Sequence, residues 1–415
     1  MNYTVKNGTY KGKILIPSSK SDCQRAVLIA ALGTNNSILK NVGSSNDEQA
    51  LLHTIQALGA TVKMENKNTI IIAGNNQKPQ LSTINCEESG LGLRLLTCIA
   101  ALQNHEITMI GEGSLRKRHH LFFEKYLAQM GVQFSSNKGF LPFSVKGPLH
   151  AGNYTVDGGD SSQYISGLLI AFSQVEGKTV LKVENCKSKA YIDMTLHTLK
   201  QFGINITILE DGVYAIEGAQ AVQPTTYTIE GDWSSASYWL VAAALGVNVQ
   251  IDGLSLASKQ ADKALLQALL AANCRVSTSS DGITIDGTQR AAFEFDATHC
   301  PDLFPALTTL AVFTQGISKI KGVHRLANKE SNRATALMSE FSKLGVEIFV
   351  ENDGLVVVGG APLVANLVDA HNDHRIAMTL AIASIVGQLE LTIEGAESVN
   401  KSYPDFWKHL EALQV

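Results

Sequence analysis

The chain has 415 residues, 45% of them apolar and 17% charged, with a formal net charge of −4. That length exceeds one ordinary hydrophobic core, so two domains are expected. The acidic balance speaks against a nucleic-acid binder, and no apolar run approaches the roughly 20 residues that cross a bilayer.

The first residues, MNYTVKNGTYKGKILIP, carry neither a secretory apolar region nor an Arg/Ser-rich transit pattern. Six cysteines (Cys23, Cys86, Cys98, Cys186, Cys274 and Cys300) show no CxxC pairing. A cytoplasmic protein with buried thiols is therefore expected.

Along the chain, a small polar residue repeatedly precedes a short, almost charge-free apolar segment, at a spacing of about 71 residues. The openers are Ser18, Ser89, Asp160, Asp232, Asp302 and Asp373. The segments run from SSKSDCQRAVLIAALG through SGLGLRLLTCIAAL, DSSQYISGLLIAFS, DWSSASYWLVAAALG and DLFPALTTLAVF to DHRIAMTLAIASIVG. Serine and aspartate accept bonds from the free N–H groups of a first helical turn. Apolar character on nearly every face marks a helix buried all round.

An amphipathic helix follows each apolar one, from NDEQALLHTIQALGATV to YPDFWKHLEALQV. Five of them end in a stop residue (Gly59, Gly131, Gly203, Asn273, Gly345), where the left-handed conformation closes a helix. Hairpins come next, with Asp211-Gly212, Asp281-Gly282 and Asp353-Gly354 as turn pairs. Extended pieces such as HEITMIGEG and KTVLKVEN lie between the two helices. One unit thus reads βαβαββ, and the chain holds six.

The expected fold is α/β (α+β): two similar globular domains, each of three units around buried helices, with an active-site cleft between them. Crossings near 17–20 and 226–231 make domain I discontinuous (1–17 and 231–415) and domain II continuous (18–230). A six-unit solenoid is the rival, but its helices would usually keep a solvent face.

Polar chemistry gathers at the helix starts. Lys20, Ser21 and Arg25 lie in the first turns of the first helix, where cations oppose the dipole unless an anion binds. Solvent-seeking side chains at a helix end are the plain alternative. The second helix begins SGLGLR, with Gly90 and Arg94, and the following loop GEGSLRKRHH holds Arg116, Lys117 and Arg118. Ser161, Ser162 and Gln163 open the third helix as neutral donors, and KSKAYID adds Ser188, Lys189 and Tyr191. Asp302 is either an N-cap or a carboxylate base. Lys329, Glu330 and Arg333 are either a site or a salt-bridged exposed face. Arg375 and Lys401 complete the set. His371 and His374 lack a third ligand at suitable spacing, so no metal is expected.

Each plain reading stands alone, but seven cations at related places (Lys20, Arg25, Arg118, Lys329, Arg333, Arg375, Lys401) in an acidic chain suit a ligand with phosphate and carboxylate groups. No GxGxxG or P-loop is present, so side chains must do the chemistry without a cofactor. Asp302 and Glu330 are then the acid/base candidates.

At these residues the chain resembles the EPSP synthase (3-phosphoshikimate 1-carboxyvinyltransferase) family, from PSSKSDCQRA to KSYPDFW. The motifs are SKSxxxRA, SSQY, SKAYID, EGDWSSA, NKESNR and NDHRIAM. The resemblance implies transfer of the enolpyruvyl group of phosphoenolpyruvate to the 5-hydroxyl of shikimate 3-phosphate, by a monomer that binds neither nucleic acid nor membrane. It assigns Lys20, Arg118 and Lys401 to the phosphate of phosphoenolpyruvate, Arg333 and Arg375 to its carboxylate, and Gly90 to close backbone approach. It assigns Lys20, Ser21, Arg25, Ser161, Ser162, Gln163, Ser188, Tyr191, Asp302 and Lys329 to shikimate 3-phosphate. Asp302 is implied as base and Glu330 as acid, with Lys20 and Lys329 beside the reacting groups. The pattern departs at Glu88, where a neutral residue is usual, and at His119, Ala190 and Asn332. The related transferase acting on UDP-N-acetylglucosamine has Lys-Asn in place of Lys20-Ser21 and a loop cysteine. A non-catalytic anion binder would leave Asp302 and Glu330 unused.

Overall fold

The computed structural model describes residues 1–74, 81–279, 282–364 and 367–415. Among them are twelve α-helices: α1 (Lys20–Leu32), α2 (Asn46–Ala57), α3 (Gly90–Ala100), α4 (Leu121–Tyr126), α5 (Ser162–Phe172), α6 (Lys189–Gln201), α7 (Trp233–Ala244), α8 (Leu265–Ala271), α9 (Phe304–Val312), α10 (Arg333–Lys343), α11 (His374–Gly387) and α12 (Phe406–Leu413). None of the described helices is long and apolar enough to cross a membrane.

The odd-numbered helices are the apolar ones, and they are buried almost residue for residue; α3 and α9 are buried throughout. Their caps follow the polar openers with three shifts. Ser89, Asp232 and Asp373 cap α3, α7 and α11 as expected, accepting from Gly92, Ser235 and Arg375 N–H. For α1 and α5 the cap is the next residue, Ser19 rather than Ser18 and Ser161 rather than Asp160. Asp302 caps nothing: it lies in a 3-10 turn, Pro301–Leu303, and α9 starts without a side-chain cap. Its carboxylate is held elsewhere by cations.

The chain forms two compact units, one of residues 1–17 and 231–415, the other of residues 18–230. In the split unit α7, α9 and α11 pack on one another in all three pairs. A solenoid would keep the first and third apart, so that rival is set aside. In the 18–230 unit α3 packs on α1 and α5, with α6 against both.

Sheets wrap these helices with a recurring order. Thr83–Asn85 runs parallel to Ile107–Ile110, which pairs antiparallel with Phe140–Lys146, and Gln133–Asn137 completes the hairpin. The sheets around Ser37–Lys40, Lys178–Glu184 and Gly316–Lys321 repeat it. The fourth repeat is split. Asn248–Asp252 pairs with Lys11–Leu15, while Arg275–Ser279 and Gly282–Asp286 form a separate pair. A cavity of about 550 Å³ lies at that split, lined among others by Val249, Ile285 and Arg290. In the sixth repeat the N-terminal strand Asn2–Val5 supplies the antiparallel partner of Leu391–Glu394.

All five stop residues adopt left-handed backbone, with φ from 57° at Asn273 to 94° at Gly59. The turn pairs fare less evenly. Gly212 is left-handed (φ 76°), but in the fifth repeat the left-handed pair is Asn352-Asp353, and Gly354 already opens the next strand. Asp281 lies outside the described residues.

Candidate active site

In the 18–230 unit the first turn of α1 presents Lys20, whose Nζ pairs with Asp47 Oδ2 at 2.7 Å. Arg25, one turn on, is wholly buried rather than reaching to solvent. Its Nε donates to Thr195 Oγ1 (2.7 Å), Nη1 to the Ser21 carbonyl (2.8 Å), and Nη2 to Ser166 Oγ and the Tyr191 carbonyl. Burial pushes its guanidinium down to about 10, so it stays charged near neutrality. Arg25 thereby joins Ser21 and Tyr191 into one frame.

A second frame forms around Gly90. Arg94 Nη1 donates to Gln163 Oε1 at 2.5 Å, and the guanidinium lies over the Tyr164 ring, 5.1 Å from its centre. Arg118 donates to Ser114 Oγ and is buried, unlike its exposed neighbours Arg116 and Lys117. A β-carbon at Gly90 would meet Arg118 Nη1 at 3.0 Å and Arg94 Nη1 at 3.1 Å, so both guanidiniums converge on this glycine. Under them lies His120, bonded to Tyr164 Oη at 3.2 Å. Burial and the two arginines push its imidazole down to about 2, which keeps it neutral. Ser161 caps α5, Ser162 is buried behind it, and Ser188 is a buried left-handed residue before α6.

The split unit holds the denser cluster. Arg333, only 1% exposed, opens α10 and distributes its fork over three carboxylates. Nε reaches Asp373 (2.8 Å), Nη1 reaches Asp302 (2.6 Å), and Nη2 reaches Glu330 (2.5 Å). Arg375 Nη2 donates to the other Asp302 oxygen at 3.0 Å, and Lys329 Nζ stands 3.4 Å from the first. The exposed-face reading of Lys329 and Arg333 therefore fails. Burial alone would raise the Asp302 carboxyl, but Arg375, Lys329 and Arg333 outweigh it and hold it well below the usual range. Burial lowers the Lys329 ammonium despite the attraction of Asp302. Lys401 donates to the carbonyl of Asn372 at 2.9 Å, next to the Asp373 cap.

Asp47 and Asp262 were not singled out in the sequence, and Asp373 was read there only as a helix opener. Asp47 neutralises Lys20, and Asp373 braces Arg333 while capping α11. Asp262 is a buried carboxylate bonded by Ser234, raised to about 6 by burial and by the charge of Asp302. His371 pairs with Glu340, and no metal-binding group of three or more His, Cys, Asp or Glu occurs among the described residues.

The sequence profile described as EPSP synthase (3-phosphoshikimate 1-carboxyvinyltransferase) matches residues 5–410. A 3-phosphoshikimate 1-carboxyvinyltransferase of Clostridium perfringens is 35% identical over 97% of this chain and 96% of its own length. One from Clostridium acetobutylicum is 36% identical over 97% and 95%. The chain belongs to the EPSP synthase family. In fold it is similar to EPSP synthase from Acinetobacter baumannii, with a TM-score of 0.82 at 23% identity, covering 100% of this chain and 98% of that one.

Three of the four departures from the EPSP synthase pattern, Glu88, Asn332 and His119, have local contacts. Glu88 turns toward the 113–117 turn, where Ser114 N–H meets its carboxylate at 3.4 Å and Gly113 leaves room for it. Asn332 caps α10 by accepting from Thr335 N–H, a task asparagine and aspartate share. His119 sits edge-on to Phe140. Nothing in the structure explains Ala190.

Proposed function

We propose that this protein transfers the enolpyruvyl group of phosphoenolpyruvate to the 5-hydroxyl of shikimate 3-phosphate, releasing phosphate, without a cofactor. The observation that carries the reading is the cluster of Asp302 and Glu330 on the buried Arg333, beside Lys329 and Arg375. Two carboxylates among three cations suit proton transfer next to an anionic substrate.

Asp302 takes the proton of the 5-hydroxyl as its oxygen attacks C2 of phosphoenolpyruvate. Glu330 delivers a proton to the methylene carbon, giving a tetrahedral intermediate. The C–O bond to phosphate then breaks with its electron pair leaving on phosphate, and a methyl proton returns to the enzyme as the enol ether forms. Lys20, Arg118 and Lys401 take the phosphate, and Arg333 and Arg375 the carboxylate. Lys20, Ser21, Arg25, Ser161, Ser162, Gln163, Ser188, Tyr191 and Lys329 hold shikimate 3-phosphate, with Arg25 bracing the Ser21 and Tyr191 backbone. Gly90 leaves space between Arg94 and Arg118. The reading takes the protein as a cytoplasmic monomer.

The direct test is phosphate release from phosphoenolpyruvate and shikimate 3-phosphate. No release from these, with release on supplying UDP-N-acetylglucosamine instead, would overturn the choice. Glu330→Gln should cut turnover at least about 100-fold, the scale of a lost general acid, with shikimate 3-phosphate binding retained. Lys20→Met should weaken phosphoenolpyruvate binding and slow turnover together.

A further inference from the structure

The arginines assigned to the substrate carboxylate are already occupied. Arg333 has Asp373, Asp302 and Glu330 on its three nitrogens. Asp373 is wholly buried and also caps α11, so it is fixed in place. Asp302 differs: it bridges Arg333 and Arg375 and keeps 21% of its side chain exposed. Glu330 is equally exposed and pairs with Arg333 Nη2. The Nε of Arg375 is buried without a hydrogen-bond partner, a donor left over beside the Asp302 contact.

Charge makes the same point. Asp302, Glu330 and Asp373, with Asp262 buried nearby, already offset Lys329, Arg333 and Arg375. Adding a carboxylate without removing one would leave an uncompensated negative charge in a largely buried place, which is costly. Something must move, and Asp302 is the partly exposed acid seen on both arginines that the carboxylate is to meet.

We infer that Asp302 holds, in the free protein, the place on Arg333 and Arg375 that a substrate carboxylate takes, so that carboxylate binding and release of Asp302 are a single exchange. No covalent bond changes: one carboxylate replaces another on the same guanidiniums. The identity of the incoming group rests on the function proposed above; the exchange rests on the ion pairs. Its consequence is order in the chemistry. Until the carboxylate arrives, Asp302 is clamped by cations and is a poor base, as its depressed carboxyl shows. Once the arginines are taken, its basicity rises and the hydroxyl proton has an acceptor.

Titration calorimetry of wild type, Asp302→Asn and Asp302→Glu with phospholactate, a saturated analogue of phosphoenolpyruvate, tests this in the presence of shikimate 3-phosphate. Inorganic phosphate serves as the carboxylate-free probe. Losing the resident charge should tighten phospholactate about tenfold or more in Asp302→Asn while phosphate changes by less than about twofold. Asp302→Glu, which keeps the charge, should not tighten it. Unchanged or weaker phospholactate binding by Asp302→Asn overturns the exchange, and so does equal tightening of both probes. A crystal structure of wild type with phospholactate gives a reading that needs no variant. The ligand carboxylate should sit on Arg333 and Arg375 with Asp302 out of hydrogen-bond range of Arg375; a bound ligand with both Asp302 contacts intact overturns the proposal. If wild type releases no phosphate, the function reading fails separately. Pyruvate against phosphate in the same three proteins then decides the exchange, and unchanged pyruvate affinity counts against it.

Discussion

Asp22 and Asp302 are aspartates near the polar starts of related helices, and their surroundings drive them in opposite directions. Three cations surround Asp302. Asp22 is more deeply buried, and it receives neutral donors instead: Tyr227 Oη at 2.8 Å and Glu230 N–H at 3.2 Å. Burial dominates there and lifts its carboxyl from 3.8 to about 6, with those bonds only partly opposing. The linkage follows from the sign. Because the folded state holds this proton more tightly than the unfolded one, the stabilisation is complete below pH 3.8 and lost as pH rises through about 6. Asp262, also raised by burial, acts in the same direction. Asp302 acts oppositely, stabilising above the ordinary carboxylate range and losing that as pH falls through its depressed value. Asp22→Asn keeps an acceptor for Tyr227 but cannot ionise. Melting temperatures measured between pH 4 and pH 6.5 should therefore fall less for the variant than for wild type. Parallel pH profiles would show that Asp22 carries no such cost.

Helix starts do different work in different repeats, although their sequences look alike. Asn332 is a plain cap on α10, so Asn332→Ala should cost about 1 kcal/mol in urea unfolding. Asp373 caps α11 and also holds Arg333. Asp373→Ala should lose the cap and strand part of a buried guanidinium, costing about 3–5 kcal/mol; equal costs for the two variants would mean that the Arg333 contact contributes nothing. The comparison also shows where sequence reading stops. Apolar periodicity and stop residues are local, so the buried helices and their left-handed ends were legible. Caps slipped by one at Ser19 and Ser161, where adjacent polar residues compete for one N–H. Asp302 read as a possible cap because its partners, Arg333 and Arg375, lie far along the chain. Arg333 and Lys20 were visible through their motifs, but Asp47, Asp262 and the bracing role of Asp373 were not. Those depend on which side chains folding buries together, and no local spacing records that.

Each compact unit is closed by a strand that returns from elsewhere in the chain. In the 18–230 unit, Thr226–Thr228 comes back to lie parallel to Ser37–Lys40 of its first repeat. In the split unit, the N-terminal residues do this twice: Asn2–Val5 completes the sheet of the sixth repeat, and Lys11–Leu15 pairs with the fourth. The first of these strands is anchored by side chains as well as by its ladder. Tyr3 stacks on Trp407 with ring centres 4.0 Å apart and donates to Glu411 at 2.9 Å, while Val5 is buried opposite Leu391. Without that strand, Leu391–Glu394 would expose an unpaired edge, and the apolar face beneath would meet water. Val5→Asp places an unpaired charge at that seam and should cost about 3 kcal/mol or more. The loss should also be local in origin. Hydrogen exchange followed by mass spectrometry should show faster exchange first in strands 391–394 and 367–369 and in α11, with residues 18–230 keeping their protection. Uniform acceleration along the whole chain, or none in those strands, would show that the N-terminal strand is not what closes the split unit.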